Sequence, residues 1–206
     1  MHFISNMPTF IAVLFSCSDS VQGLKHVVKL NGSKEGAEHL TEKMMKAFQY
    51  VYRNHHNDYD WVLKGDDDTY FIPENLRLLL SQYSSEEPIY FGHTLELRTN
   101  DRSKELDADA LMYMSGGAGY VMSREALRRL VVLGIDVKVP CWTSGGAEDV
   151  AVGRCMTDVG VITGDSTDVK GRETFHPFSL QSHLSNSYPE WYIKYKTTAL
   201  VSTYKT

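Results

Sequence analysis

The first half of the chain alternates between short apolar runs and a longer stretch with helical spacing. Residues 9–16 form an apolar-rich run, which predicts a buried strand. Residues 34–56 place apolar side chains three to four positions apart, which predicts a helix with one buried face. The residues on that face are Leu40, Met44, Phe48, Val51 and His55. A second strand is predicted over residues 60–65.

The same alternation continues toward the middle of the chain. Pro73 stands where a helix would begin, and Leu76, Leu79 and Leu80 would form its buried face. Residues 88–92 predict a short buried strand. Strands that alternate with helices are typical of a mostly parallel sheet with helices on both faces, so we expect an α/β fold.

The second half is less regular. Residues 93–110 are polar and charged without apolar periodicity, which predicts a mobile loop. A cluster of small residues then precedes a predicted helix that begins at Ser123, a favourable N-cap. A further helix is predicted over residues 150–158 and a last strand over residues 159–164.

Size and charge limit the function classes. With 206 residues, of which 42% are hydrophobic, the chain can bury one substantial core, so we expect a single domain. The net charge of -5, with both signs interspersed, excludes the electrostatic footprint of a nucleic-acid-binding protein. No apolar run approaches the roughly 20 residues that a bilayer span needs.

The cysteines leave the redox compartment open. Cys141 and Cys155 could form a bridge in an oxidising lumen, or they could be two buried free thiols in a cytosolic protein. Cys17 is left over in either case. Asn31-Gly32-Ser33 matches an N-glycosylation acceptor, a triplet that often occurs by chance.

Three adjacent carboxylates, Asp66, Asp67 and Asp68, follow the strand predicted at 60–65. Like charges this close repel one another, and a divalent cation would allow all three to stay ionised. Their hard oxygen atoms suit magnesium, manganese or calcium. An EF-hand loop does not fit, because Pro73 and an apolar run occupy the space of that motif. The alternative is a solvated acidic turn.

Two further stretches are candidates for chemistry. Gly116 and Gly117 would let the backbone approach a ligand closely or adopt positive φ, although they lack the spacing of a phosphate-binding P-loop. Glu148 and Asp149 form an acidic pair where a helix is predicted to start. A functional role is one interpretation of this pair, and stabilisation by the helix dipole is the other.

Five stretches stand out when they are taken together. They are Trp61-Val-Leu-Lys-Gly-Asp-Asp-Asp-Thr-Tyr70, Glu87-Pro-Ile-Tyr-Phe-Gly92, Tyr113-Met-Ser-Gly-Gly-Ala-Gly-Tyr-Val121, Glu148-Asp-Val-Ala-Val-Gly-Arg-Cys-Met156 and Gly171-Arg-Glu-Thr-Phe-His-Pro-Phe178. Their order resembles the core 1 β1,3-galactosyltransferases, in the superfamily of Fringe and other β1,3-glycosyltransferases. The resemblance runs from about Gly23 to Phe178.

This resemblance implies a GT-A fold, a Rossmann-like α/β domain that binds UDP-galactose together with Mn2+. Asp66 and Asp68 would be the carboxylates of its DxD motif and would ligate the metal. Asp67 would lie near the donor. Gly116 and Gly117 would allow close approach of the donor sugar, or would serve the turn alone.

The family inverts the anomeric carbon, which requires a base on the face opposite the leaving group. The resemblance assigns that role to Asp149, while Glu148 would position the loop or contact the acceptor. Cys141 and Cys155 fall on cysteines of the family pattern, which favours a disulfide and a Golgi lumenal domain. A type II membrane anchor is inferred from the family.

The chain departs from the family pattern at both ends. The anchor, stem and first strand, and a C-terminal segment with a Cys-Cys pair and a metal-binding histidine, have no counterpart in its residues, so a partial GT-A domain over 1–206 is expected. His176 or His183 could replace the third metal ligand, or these could be packed histidines without that role.

The predicted function is β1,3 transfer of galactose from UDP-galactose to O-linked N-acetylgalactosamine on glycoproteins. The expected partners are therefore UDP-galactose and a glycoprotein acceptor, with nucleic acid excluded and a homodimer left open. Two alternatives stand beside this function. One is a Fringe-like enzyme that uses another UDP-sugar, and the other is a truncated family member that does not turn over.

Overall fold

The fold is that of a computed structural model of the chain. It describes residues 8–11, 14–16, 27–30, 32–34, 36–97, 110–137, 141 and 145–197. Cys17 and Asn31, which the sequence analysis singled out, lie outside these ranges.

A mixed sheet of five strands lies at the centre, and two strand pairs flank it. The sheet has the strand order β1 (Phe10–Ile11), β4 (Trp61–Lys64), β8 (Tyr120–Ser123), β5 (Ile89–Gly92) and β9 (Ile162–Thr163). The flanking pairs are β2 (Leu14–Ser16) with β3 (Val27–Lys29), which are parallel, and β6 (Thr94–Leu97) with β7 (Leu111–Met114), which are antiparallel.

Helices cover both faces of the central sheet, as predicted. On one face lies α2 (Pro73–Leu80), and on the other lie α1 (Leu40–His55), α3 (Arg124–Arg129) and α4 (Glu148–Asp158). Two further helices lie outside these layers: α6 (Glu190–Tyr195) packs on β6, and α5 (Leu180–Ser185) has no buried residue. A π-helical stretch, Leu130–Ile135, continues α3. None of the helices among the described residues combines the length and hydropathy of a membrane span.

Side chains that alternate along the strands build two apolar layers. Along β8, Met122 packs with residues of α1, α3 and α4 on one face, while Val121 packs with α2 on the other. Along β5, Tyr90 and Phe91 divide in the same way. This follows from the two-residue period of a strand. The sheet is thus buried on both sides, and its strand ends are left to form the site.

The expectation of a mostly parallel sheet holds for four of the five strands and needs a correction at β8. β1, β4, β5 and β9 run in one direction, but β8 at the centre pairs antiparallel with both β4 and β5. The physical reason is the pairing of neighbouring segments: β6 follows β5 after one residue and pairs antiparallel with β7, and β8 continues that antiparallel pairing along β5, with Gly92 opposite Tyr120. Antiparallel strands need no crossover connection, whereas parallel strands do.

The predicted loop at 93–110 is wrong over Thr94–Leu97, which form β6. The prediction used local periodicity, whereas β6 is held by pairing with β7, and its Leu95 is buried against Tyr113 and Tyr192. Residues 98–109 of that predicted loop lie outside the described residues.

The helix predicted over 34–56 begins later than expected. Gly36 has a φ of 119°, which ends helical geometry there, and a short 3-10 turn at Ala37–His39 precedes α1. Its buried face is also shifted, since Leu40 is 37% exposed while Thr41 is buried. The Thr41 hydroxyl donates to the carbonyl oxygen of Gly145 at 3.1 Å, so this face packs on the loop before α4.

Candidate active site

The three aspartates lie at the end of β4 in a tight turn, residues 65–69, which we call the aspartate turn. The amide of Thr69 donates to the carbonyl oxygen of Asp66 at 3.1 Å, and the Thr69 hydroxyl accepts from the Asp66 amide at 2.7 Å. These bonds close the turn. The side chains of Asp66, Asp67 and Asp68 are all exposed, so the turn presents three carboxylates to solvent.

A second turn, residues 115–119, connects β7 to β8 beside the aspartate turn, and we call it the glycine turn. Gly119 has a φ of 70°, and a Cβ placed there would stand only 2.9 Å from the carbonyl oxygen of Lys64. Both the backbone angle and the space therefore require glycine at this position. The close approach brings the two turns together at adjacent strand ends of β4 and β8.

Lys64, the last residue of β4, contacts both turns with its ammonium group. Its ammonium group lies 2.8 Å from Asp66 Oδ1, 3.2 Å from the Gly116 carbonyl oxygen and 3.9 Å from Glu148 Oε2. Its side chain is only 3% exposed. The sequence analysis did not single out this residue. The available signal was a lysine that ends an otherwise apolar strand directly before three aspartates.

Glu148 is buried beneath the glycine turn at the start of α4. Its Oε1 accepts the hydroxyl hydrogen of the buried Tyr120. Burial raises the pKa of the Glu148 carboxyl, and the nearby Lys64 ammonium partly opposes that rise. Burial and the facing Glu148 carboxylate raise the pKa of Tyr120 well above its ordinary value. These contacts favour the loop-positioning role for Glu148 over direct contact with an acceptor.

Asp149 is held against the glycine turn by backbone amides. Its Oδ2 accepts from the Gly116 amide at 3.0 Å, and its Oδ1 accepts from the Val150 amide at 2.9 Å. The position in the first turn of α4 also suits the helix dipole, so the structural interpretation of the acidic pair holds alongside any functional one. A carboxylate has about four lone-pair sites, so Asp149 can still accept another hydrogen.

Continuous contacts therefore join the three motifs. They run from Asp66 to Lys64, from Lys64 to the Gly116 carbonyl, and from the Gly116 amide to Asp149. A Cβ on Gly116 would lie 3.1 Å from Glu148 Oε2, tighter than ordinary contact, so glycine lets the acidic pair pack closely. Gly117 is exposed, beside the Pro177 carbonyl oxygen.

The two histidines considered as metal ligands pack against aromatic rings. His176 and His183 have ring centroids 4.6 Å apart, and Nδ1 of His183 lies 3.1 Å from the Tyr188 hydroxyl oxygen. Desolvation lowers the pKa of both imidazoles. In the part of the chain that the structure describes, no three His, Cys, Asp or Glu side chains converge as a metal site would require. These contacts favour the interpretation as packed histidines.

The disulfide that the family pattern favoured is present between Cys141 and Cys155. Gly134 allows it, because a Cβ there would stand 2.6 Å from one sulfur and 2.7 Å from the other. The bridge ties the segment before α4 to the inner side of that helix. It thereby supports the helix whose first turn holds Glu148 and Asp149.

An apolar cavity of about 660 Å³ opens beside the aspartate turn, and the sequence analysis did not predict it. Thr69 and Ala118, from the two turns, form one end of it. Exposed apolar side chains of the segment after the aspartate turn, among them Phe71 and Ile72, form another part of the lining. The site therefore has a charged centre and an adjacent apolar wall.

The comparisons place these features among known sequences. A family model described as Fringe-like matches residues 18–191. Glycoprotein-N-acetylgalactosamine 3-beta-galactosyltransferase 1 from Xenopus laevis is 44% identical over 168 residues, which cover 80% of this chain and 43% of that protein. Beta-1,3-glucosyltransferase from Mus musculus is 35% identical over 109 residues, covering 52% of this chain and 20% of that protein. The chain thus spans less than half the length of these curated relatives.

Proposed function

Because the chain belongs to the Fringe-like family, we propose that it is an inverting glycosyltransferase that moves galactose from UDP-galactose to O-linked N-acetylgalactosamine on glycoproteins, in β1,3 linkage. The family match confirms the resemblance that the motifs indicated. The similarity to the Xenopus protein supports the choice of donor and acceptor. The observation that carries the proposal is the continuous contact from Asp66 through Lys64 and Gly116 to Asp149.

The aspartate turn suits the manganese ion that the family implies, because exposed carboxylates on one turn are hard oxygen donors. Asp66 and Asp68 would hold the ion, and Asp67 would lie near the donor sugar or ribose. When bound, Mn2+ would offset the negative charge that develops on the diphosphate leaving group. We expect diphosphate and water to complete its ligands. The mixed α/β sheet is consistent with a GT-A domain.

Asp149 is the proposed base. An acceptor hydroxyl is a very weak acid, so its proton must be removed as the new bond forms, by a group within hydrogen-bond reach. The Gly116 and Val150 amides fix the orientation of the Asp149 carboxylate before the acceptor arrives. A base that is already oriented avoids part of the entropy loss of reaching the reactive geometry.

The Cys141–Cys155 disulfide supports action in an oxidising compartment. We therefore place the proposed enzyme in the Golgi, with this domain in the lumen and the type II anchor that the family implies. The apolar cavity beside Thr69 and Ala118 is available to apolar parts of the donor or of the acceptor.

The direct experiment measures transfer of galactose from UDP-galactose to a GalNAc-α-peptide in the presence of Mn2+. Asp149→Asn removes the base while keeping the shape, so we expect a rate loss of about 100-fold or more. Asp68→Ala should abolish metal-dependent activity. Asp158→Asn, an exposed aspartate at the other end of α4, is the matched control and should keep the wild-type rate. Wild-type rates in Asp149→Asn and Asp68→Ala would overturn both assignments.

A second candidate function is transfer of another UDP-sugar, which the similarity to Beta-1,3-glucosyltransferase from Mus musculus favours. Competition among UDP-galactose, UDP-glucose and UDP-N-acetylglucosamine against the same acceptor separates the donors. Calorimetry with UDP and Mn2+ tests the remaining alternative, a family member without turnover. Absence of metal-dependent UDP binding, with no transfer from any of these donors, would support that alternative.

A further inference from the structure

Lys64 is a buried lysine that contacts one group from each of three motifs. An ammonium group removed from water is costly unless it is paired and hydrogen-bonded. Here Asp66 lies in the aspartate turn, Gly116 in the glycine turn, and Glu148 in the first turn of α4. These segments are far apart in the sequence, and Lys64 is where they meet.

The contacts of Lys64 suit an ammonium group, which carries a positive charge and has only donor hydrogens. The Lys64 ammonium donates to Asp66 Oδ1 and to the Gly116 carbonyl oxygen, while Glu148 Oε2, 3.9 Å from Nζ, contributes opposite charge without a hydrogen bond. The ring of Tyr120 adds a weaker cation–π contact, with Nζ 5.9 Å from its centroid. The Gly116 carbonyl accepts a second hydrogen bond, from the Gly119 amide at 3.0 Å, so Lys64 also supports the closure of the glycine turn.

We propose that Lys64 is a positioning residue for the reaction: its ammonium fixes the donor-side Asp66 relative to the glycine turn and, through the backbone of Gly116, relative to Asp149. This inference rests on the proposed function. Lys64 acts through other residues, because its side chain is buried and cannot meet the acceptor directly. The backbone of Gly116 transmits the effect across its two adjoining peptide groups, since the Gly116 carbonyl oxygen accepts from Lys64 and the Gly116 N–H donates to Asp149.

The first test needs no ligand. We expect Lys64→Met, which keeps the apolar stem and removes the charge, to speed hydrogen exchange at the Gly116 and Gly119 amides by roughly tenfold or more. Amides of α2, on the other face of the sheet, should change much less. Lys170→Met, at an exposed loop position, is the matched control and should leave all these rates unchanged. Equal acceleration throughout the molecule would mean a purely structural role and would overturn the proposal.

The second test measures UDP binding by calorimetry in the presence of Mn2+. Lys64→Met should weaken this binding roughly tenfold, the equivalent of one lost charge-assisted contact. If Lys64 acts through Asp66, Lys64→Met should add little to the loss already caused by Asp66→Asn. Additive losses would contradict action through Asp66. If the wild-type protein binds no UDP, the proposed function fails, while the exchange rates still decide whether Lys64 holds the turns together.

If Lys64→Met does not fold, Lys64→Arg tests the same proposal by steady-state kinetics. It retains a positive charge for Glu148, but its larger planar head group cannot occupy the site of a compact ammonium. We expect KM for the UDP-sugar within about threefold of wild type and kcat at least about tenfold lower, because displacement of the Gly116 backbone misplaces Asp149. A wild-type kcat in this variant would overturn the proposal and reduce Lys64 to a counter-ion.

Discussion

Glu148 and Asp68 are carboxylates of the same proposed site, yet the protein surrounds them in opposite ways. Glu148 is 5% exposed and lies between the Lys64 ammonium and the Tyr120 hydroxyl. Asp68 is exposed on the aspartate turn. Buried charge must be balanced by the fold itself, whereas exposed charge is balanced by water or by a ligand. We call Glu148, Lys64 and Tyr120 the buried half of the site and the three aspartates of the aspartate turn the exposed half. The buried half should determine the stability of the fold, and the exposed half should determine ligand binding.

The largest expected change in stability comes from a substitution in the buried half. Glu148→Ala removes the buried counter-charge of Lys64, leaves the Tyr120 hydroxyl without its partner and opens a cavity, so the free energy of unfolding should fall by about 3–5 kcal/mol. Asp68→Ala should change it by less than about 0.5 kcal/mol. Urea unfolding followed by circular dichroism measures both. Similar losses in the two variants would contradict this division of the site.

Reduction of the disulfide shows whether the stability of the buried half depends on the covalent attachment of α4. Reducing the bond between Cys141 and Cys155 releases a loop of sequence separation 14, which should lower the free energy of unfolding by about 2–3 kcal/mol. Urea unfolding with and without dithiothreitol measures the effect. Cys141→Ala is the control, because it should be insensitive to the reductant. If the free energy of unfolding of the wild type is the same with and without dithiothreitol, then packing alone holds α4 in place.

Sequence patterns were sufficient where local chemistry decides the structure. Pro73 begins α2 as predicted, and the Ser123 hydroxyl accepts from the Ala126 amide at 3.0 Å, as an N-cap does. The apolar run at 88–92 contains β5, since a short buried strand needs little more than apolar side chains. The motifs also indicated Asp66 and Asp149 as parts of one site, and the structure joins them by contacts through Lys64 and Gly116.

Distant pairing is what local patterns could not show. β6 exists because it pairs with β7, and β8 is antiparallel because it extends that pairing along β5. The position of Lys64 at the end of an apolar strand hints at burial, but two of its partners, Gly116 and Glu148, are brought to it only by the fold. Both kinds of miss have one cause, because contacts between remote segments depend on the assembled sheet and not on the residues beside them.

The smallest expected effect is the pH dependence that Glu148 gives to the free energy of unfolding. Burial raises the pKa of Glu148 above its ordinary 4.5, so between 4.5 and that raised value the folded protein keeps a proton that the unfolded chain has released. The contribution of this group is therefore complete below pH 4.5 and is lost as pH rises through the window. The slope should be at most about 1.4 kcal/mol per pH unit.

Glu148→Gln isolates this contribution, because it keeps the shape and removes the titration. The difference in unfolding free energy between wild type and Glu148→Gln should move against the wild type as pH rises above 4.5. Asp68→Asn is the matched control at the exposed half, because it makes the same Asp-to-amide type of change away from the buried contacts of Glu148. Urea unfolding at several pH values between 4 and 7 measures both differences. A wild type that gains stability relative to Glu148→Gln over this range would show that Lys64 stabilises the charged carboxylate more than burial penalises it.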